Sequence, residues 1–192
     1  MKLLLHIPAL LALLLFSGLC AAMRADESAQ AKPADPYQVR AAMLAKVPAY
    51  IKWPDALFKS KDAPLCVGVL GADPFHELLD GALKGQRVGT HAFVPARFAT
   101  AAEIRECHVL FVPQGEEAAL EKLVERFKGQ NVLLVGDTLA AAEHGAGIAL
   151  YVEKAKVRLA VNLDALHDAG IEASSELLKL AKVILRKEGE GK

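Results

Sequence analysis

The sequence predicts an α/β fold: a three-layer α/β/α sandwich on a mostly parallel, doubly wound sheet with a C-terminal antiparallel edge hairpin. Three observations carry this expectation. Short β-branched runs alternate with helical patterns through most of the 192 residues, as strands joined by crossover helices require. The last two runs, GIALYVE and KVRLAVNL, are parted by only Lys154 and Ala155, which suits a hairpin and leaves no room for a crossover helix. Behind a leader, about 170 residues suffice for one core and are too few for two ordinary domains.

The chain opens with Lys2, an apolar run from Leu3 to Leu19 and the small residues Cys20, Ala21 and Ala22. Positions 1–22 therefore read as a secretory signal peptide. The run is broken by His6 and Pro8 and is short for a membrane span of about 20 residues. Acylation of Cys20 is the alternative reading, and the bulky Leu19 before it fits that signal poorly. Residues 23–35 are polar and alanine-rich and predict a flexible N-terminus, followed by one domain over 36–187 and a flexible tail over 188–192.

Within the domain, Val39, Met43, Val47 and Ile51 recur every four residues, which predicts a helix with one apolar stripe, ended or kinked at Pro48. Trp53, Pro54 and Asp55 form a turn in which the indole seals that helix. Strands are expected at 65–70, 91–98, 108–113 and 131–136, then in the two hairpin runs. Asp73 with Pro74, and Asp137 with Thr138, announce helices after strands. A final helix is predicted from Ser174 through Leu177, Leu178, Ala181, Ile184 and Leu185, packed on the sheet.

The chain has 23 basic and 23 acidic residues, so removing Lys2 with the leader leaves one net negative charge and no electrostatic footprint for nucleic acid. No segment after the leader is long enough to span a bilayer. An oxidising destination leaves two cysteines, Cys66 and Cys107, each at the start of an apolar strand run. In a 2-1-3-4-5 strand order those two strands are neighbours, and a Cys66–Cys107 disulfide is the leading inference, with two buried thiols as the alternative. Such a bridge closes a loop of about 42 residues and is worth roughly 4 kcal/mol in the chain-entropy model.

Catalytic patterns are missing. The loop GADPF after the first long strand lacks the glycines and hydroxyls that cradle phosphate, and the strand at 108–113 ends in Pro113 and Gln114 where a phosphoacceptor would need aspartate. His76, His91, His108, His144 and His167 show no metal-ligand spacing. There is no GxSxG elbow, Ser174 and Ser175 serve as caps, and the cysteines lack CxxC spacing. Glu143 with His144 reads as a solvated turn. No catalytic residue, metal or cofactor is expected.

Four blocks, YQVRAAMLAKVPAYIKWP at 37–54, LCVGVLGADPF at 65–75, IRECHVLFV at 104–112 and VRLAVNLDALHDAGIEASSELLKLAKVI at 157–184, resemble the YfiR-like periplasmic proteins. The last block is the most distinctive, with Arg158, Asn162, Gly170 and Ser174 in the family's order. The resemblance implies a periplasmic, non-enzymatic repressor that binds the periplasmic sensor region of an inner-membrane diguanylate cyclase, lowering cyclic di-GMP and biofilm formation. It also implies an outer-membrane lipoprotein able to draw the repressor away. Cys66 and Cys107 fall where the family places a disulfide; its second cysteine pair is absent here, and Pro48 replaces an aromatic common in the first helix. A homodimer is expected from the surplus of apolar positions at 37–51 and 174–185. The competing expectation is a small-molecule sensor that gathers Gln114, Asp137 and Thr138 around a crevice at the carboxyl ends of the strands.

Overall fold

In a computed structural model of the chain, residues 35–184 are described. The expected signal peptide and the tail lie outside them. Helix α1 (Pro36–Lys46) starts on a proline behind Asp35, whose carboxylate accepts from the Tyr37 amide, and passes at Pro48 into a 3-10 turn over Val47–Tyr50. The Trp53 indole donates to the Pro48 carbonyl at 2.9 Å, closing the turn as the sequence predicted. The buried face of α1 is Arg40, Ala41, Leu44 and Ala45, whereas Val39 and Met43 are half-buried. Val47 and Ile51 of the expected stripe are buried, while within the helix the buried face is turned by about one residue onto Arg40, Ala41, Leu44 and Ala45.

The short β1 (Ile51–Lys52) is followed by β2 (Leu65–Leu70), α2 (Glu77–Leu83), β3 (Arg87–Val88), β4 (His91–Phe98), β5 (Val109–Val112), α3 (Glu117–Phe127) and β6 (Leu133–Gly136). Helix α4 (Leu139–Glu143), strands β7 (Ile148–Glu153) and β8 (Lys156–Asn162), α5 (Leu163–Ala169), β9 (Glu172–Ala173), α6 (Ser175–Leu180) and β10 (Lys182–Ile184) complete the described chain. The main sheet runs β10-β8-β7-β6-β5-β2-β4-β3. Its five central strands β4, β2, β5, β6 and β7 pair in parallel in the doubly wound order expected. The β7–β8 hairpin is antiparallel, and Lys154 and Ala155 take its turn at φ 49° and 59°.

Side-chain alternation along the strands divides the core. Val67, Val69, Val109, Phe111, Leu133 and Val135 face α1, α2, α5 and α6, while Leu70, Leu110, Val112 and Leu134 face α3 and α4. Both faces are covered, which is why these strands read as unbroken apolar runs. Gly136 is needed where α4 descends onto β6, since a Cβ there would lie 2.2 Å from that of Ala141.

Two expectations are corrected. The last helix stops at Leu180, and Lys182–Ile184 extends as β10, pairing in parallel with β8. The hairpin is therefore covered on its outer side, and the short β10 forms the sheet edge. Continuing the helix would leave the β8 ladder open, and the β-branched Val183 and Ile184 suit the strand that fills it. Asp73 does not cap a helix: it accepts from the Phe75 amide at 2.8 Å and from Arg97 at 3.0 Å, and α2 begins four residues later behind His76 at φ 50°. Thr138 and Ser174 do cap α4 and α6, accepting from Ala141 and Leu177.

Candidate functional site

The carboxyl ends of the strands hold the residues suggested for ligand sensing, and the structure uses them internally. Asp137 follows β6 and is buried. Its Oδ2 accepts from the Tyr37 hydroxyl at 3.1 Å, and its Oδ1 has no hydrogen-bond partner. Arg40 reaches across from α1, donating through Nε to the Leu150 carbonyl at 2.8 Å and through Nη2 to the Asp137 carbonyl at 3.1 Å. Burial raises the Asp137 carboxyl above the ordinary range, against the opposing pull of the Arg40 charge and the tyrosine hydrogen bond. Tyr37 also packs edge-on against Phe75 at 5.5 Å, and its ring carries the Arg40 guanidinium at 4.7 Å. Thr138 donates to Glu117 at 2.7 Å, and Gln114 stands exposed in a 3-10 turn. The three suggested residues do not converge on a cleft. The position where a doubly wound sheet usually takes its ligand is instead packed with Tyr37, Arg40 and Phe75.

The amino ends of the strands are open. A groove of about 510 Å³, within the size range of small-molecule sites, is lined by Leu57, Phe58, Pro64 and Val94, by Phe127 and Val132, and by Cys66, Cys107, Arg105 and His108. Cys66 and Cys107 meet here because both lie on the α3 side of the sheet and the backbone between their strands is hydrogen-bonded, His108 N–H to the Cys66 carbonyl at 3.1 Å. Both are free thiols, Cys66 half-buried and Cys107 buried. The Cys107 thiol donates to the Val109 carbonyl at 3.0 Å. The contact with Cys107 holds the Cys66 thiol below its ordinary range. That same contact, reinforced by burial, pushes Cys107 up.

Beside the thiols, His108 Nδ1 accepts from the Cys66 amide at 3.0 Å, which leaves its proton on Nε2. Burial lowers its pKa, against the upward pull of the Glu106 charge, with His91 adding to the fall. Phe58 stacks on His91 at 3.5 Å and on His108 at 5.3 Å, both at 13°. Of these groups, sequence reasoning singled out only the cysteines as a pair. Phe58 and the two histidines meet only after a loop and the starts of two central strands, β4 and β5, have been assembled.

A third feature is apolar. Met43, Val47, Tyr50, Val157, Leu159, Leu177 and Leu180 line a groove of about 320 Å³ between α1, β8 and α6. Leu180 is 76% exposed and Tyr50 41%, a degree of apolar exposure that marks interaction surfaces when it is clustered. Among the described residues no group of three or more His, Cys, Asp or Glu side chains could hold a metal ion, and no helix is long and apolar enough to cross a membrane.

A family model described as YfiR/HmsC-like matches residues 37–182. No curated protein matches the chain. Among solved structures, this chain is similar to a conserved domain protein from Vibrio cholerae O1 biovar El Tor, strain N16961, with a TM-score of 0.53 and 14% identity. The match covers 79% of this chain and 60% of that one, so the chain spans less than two thirds of that protein's length, and the likeness is one of fold.

Proposed function

The chain belongs to the YfiR/HmsC-like family, and from that premise we propose that it is a periplasmic regulator. In this reading it binds the periplasmic sensor region of an inner-membrane diguanylate cyclase and holds the enzyme silent, lowering cyclic di-GMP and biofilm formation. The observation that carries the proposal is the family match, which takes in every element from α1 to the start of β10. The packing of the strands' carboxyl ends supports a binding protein over a ligand sensor, and the exposed Tyr50 offers an aromatic anchor of the kind that dominates interface energies, with Leu180 adding exposed apolar area beside it. A partner on one side of a membrane can be silenced from the other only by differential affinity for its conformations. Moving it from 99:1 to 1:99 takes about 5.5 kcal/mol.

Deleting the gene is expected to raise cyclic di-GMP and surface attachment, and the immobilised chain should retain the periplasmic region of the cyclase. Leu180→Asp is expected to weaken that retention by about tenfold or more without changing the unfolding midpoint. Unchanged cyclic di-GMP together with no retained cyclase would sink the reading. An outer-membrane lipoprotein that competes for the chain fits the same scheme, as does a homodimer through the same apolar groove. Light scattering of the purified chain separates self-association from cyclase capture.

We also propose that the exported chain closes a Cys66–Cys107 disulfide, supported by their adjacency and by the oxidising compartment. Mass spectrometry of non-reduced material drawn from the periplasm should find the two cysteine peptides linked. Two alkylatable thiols would refute it.

A further inference from the structure

The groove at the amino ends of the strands gives the two thiols unequal surroundings, and cyclase binding does not require that inequality. Cys66 is half-buried and lines the groove, whereas Cys107 is 7% exposed and points its sulfur at the Val109 carbonyl, 3.0 Å away. A Cβ on Gly68 would lie 2.9 Å from the Cys107 sulfur and 2.6 Å from Phe98, so Cys107 is wedged against the sheet as well as bonded to it. At the rim, Lys59 is paired with Glu106, while Arg105 has no hydrogen bond or ion pair in the described structure and leaves one cation uncompensated beside an apolar wall.

We propose that this groove admits a small anionic disulfide and that Cys66 is the thiol that exchanges with it, with Cys107 closing the protein bridge. The inference rests on the Cys66–Cys107 pair being closable and is independent of the cyclase reading. The Cys66 thiolate attacks one sulfur of the reagent RS–SR, forming a Cys66–SR mixed disulfide and expelling RS⁻, which takes up the proton Cys66 gave up. The Cys107 thiol then loses its proton and attacks the Cys66 sulfur, forming the Cys66–Cys107 bond and expelling the second RS⁻, which takes that proton. Two protein thiols are oxidised and one external disulfide is reduced to two thiols. The order follows from access and from thiolate character, both of which favour Cys66. The charge class follows from Arg105, which steers anions toward the groove.

The test uses the reduced full chain and dithiobis(nitrobenzoate), an aromatic disulfide carrying two carboxylates. Wild type should release two equivalents of thionitrobenzoate and retain no adduct. Limiting reagent with a fast quench should place the transient adduct on Cys66. Cys107→Ala should release one equivalent and keep a stable adduct, and Arg105→Gln should slow the anionic reagent about threefold or more while leaving neutral hydroxyethyl disulfide unchanged. First labelling of Cys107, or an Arg105→Gln variant that reacts equally with both reagents at the wild-type rates, overturns the proposal. Peptide mapping on wild type keeps the order of attack testable if Cys107→Ala fails to fold. None of these outcomes bears on cyclase capture, so either reading can fail alone.

Discussion

Arg40→Met is expected to destabilise the domain by about 3–5 kcal/mol, the range seen when one member of a buried charged network is removed. Methionine preserves much of the side-chain volume, so the loss is polar. The Leu150 and Asp137 carbonyls each lose their donor, and Asp137 keeps a buried carboxylate whose Oδ1 is already without a partner. The effect carries a pH signature. Burial raises the folded pKa of Asp137 above its ordinary value, and Arg40 opposes that rise, so the variant raises it further. A carboxyl whose folded pKa lies above its unfolded one costs stability at neutral pH, and the cost is relieved as pH falls through the folded value toward the ordinary carboxylate range. Urea denaturation should therefore show a larger deficit at neutral than at mildly acidic pH. Equal deficits at both, or a loss under about 1 kcal/mol, would contradict this account. Because Arg40 seats the helix that carries Met43 and runs on to Val47 and Tyr50, the same variant should also weaken the proposed capture of a cyclase.

Phe111→Ala should cost about 3–5 kcal/mol, a large share of the 5–15 typical of a domain. The ring is fully buried on β5, one of the central strands. It packs on Phe75 at 4.7 Å and 67°, and Phe75 in turn meets Tyr37. Truncation opens a cavity under the segment that plugs the strands' carboxyl ends, and a doubly wound sheet with both faces covered has little freedom to collapse into it. The urea midpoint should fall with the slope unchanged. A shift of less than about 1 kcal/mol, or a changed slope, would show that Phe111 does not anchor a single cooperative core.

The strands were legible because their signal is local. LCVGVL, HAFVPARF and VLFV carry β-branched and aromatic runs bounded by Gly, Pro or polar residues, and each strand lies within two residues of its expected bounds. The helix ends marked by Thr138 and Ser174 were legible for the same reason, since a cap acts within three residues of itself. The last helix was misjudged because Ala181–Ile184 continues a helical spacing while also fitting a strand, and the open edge of β8 settles the choice.

The cysteine pair stood between these cases. Equivalent positions at the starts of two strands pointed to adjacency, yet the difference between an accessible Cys66 and a wedged Cys107 comes from Gly68, Phe98 and Val109 around them.

The layered α/β architecture and the hairpin were readable from the chain alone, because apolar periodicity and turn chemistry are written in neighbouring residues, and the resemblance of four sequence blocks pointed to the family. The partners of the chain's polar groups were set by the assembled fold. Arg40 and Asp137 lie 97 positions apart, and Tyr37 and Asp137 lie 100 apart. The energy of a buried polar or charged group depends on whether a distant segment supplies its partner, and nothing in the local pattern of Arg40 on α1 or Asp137 after β6 states that they will meet.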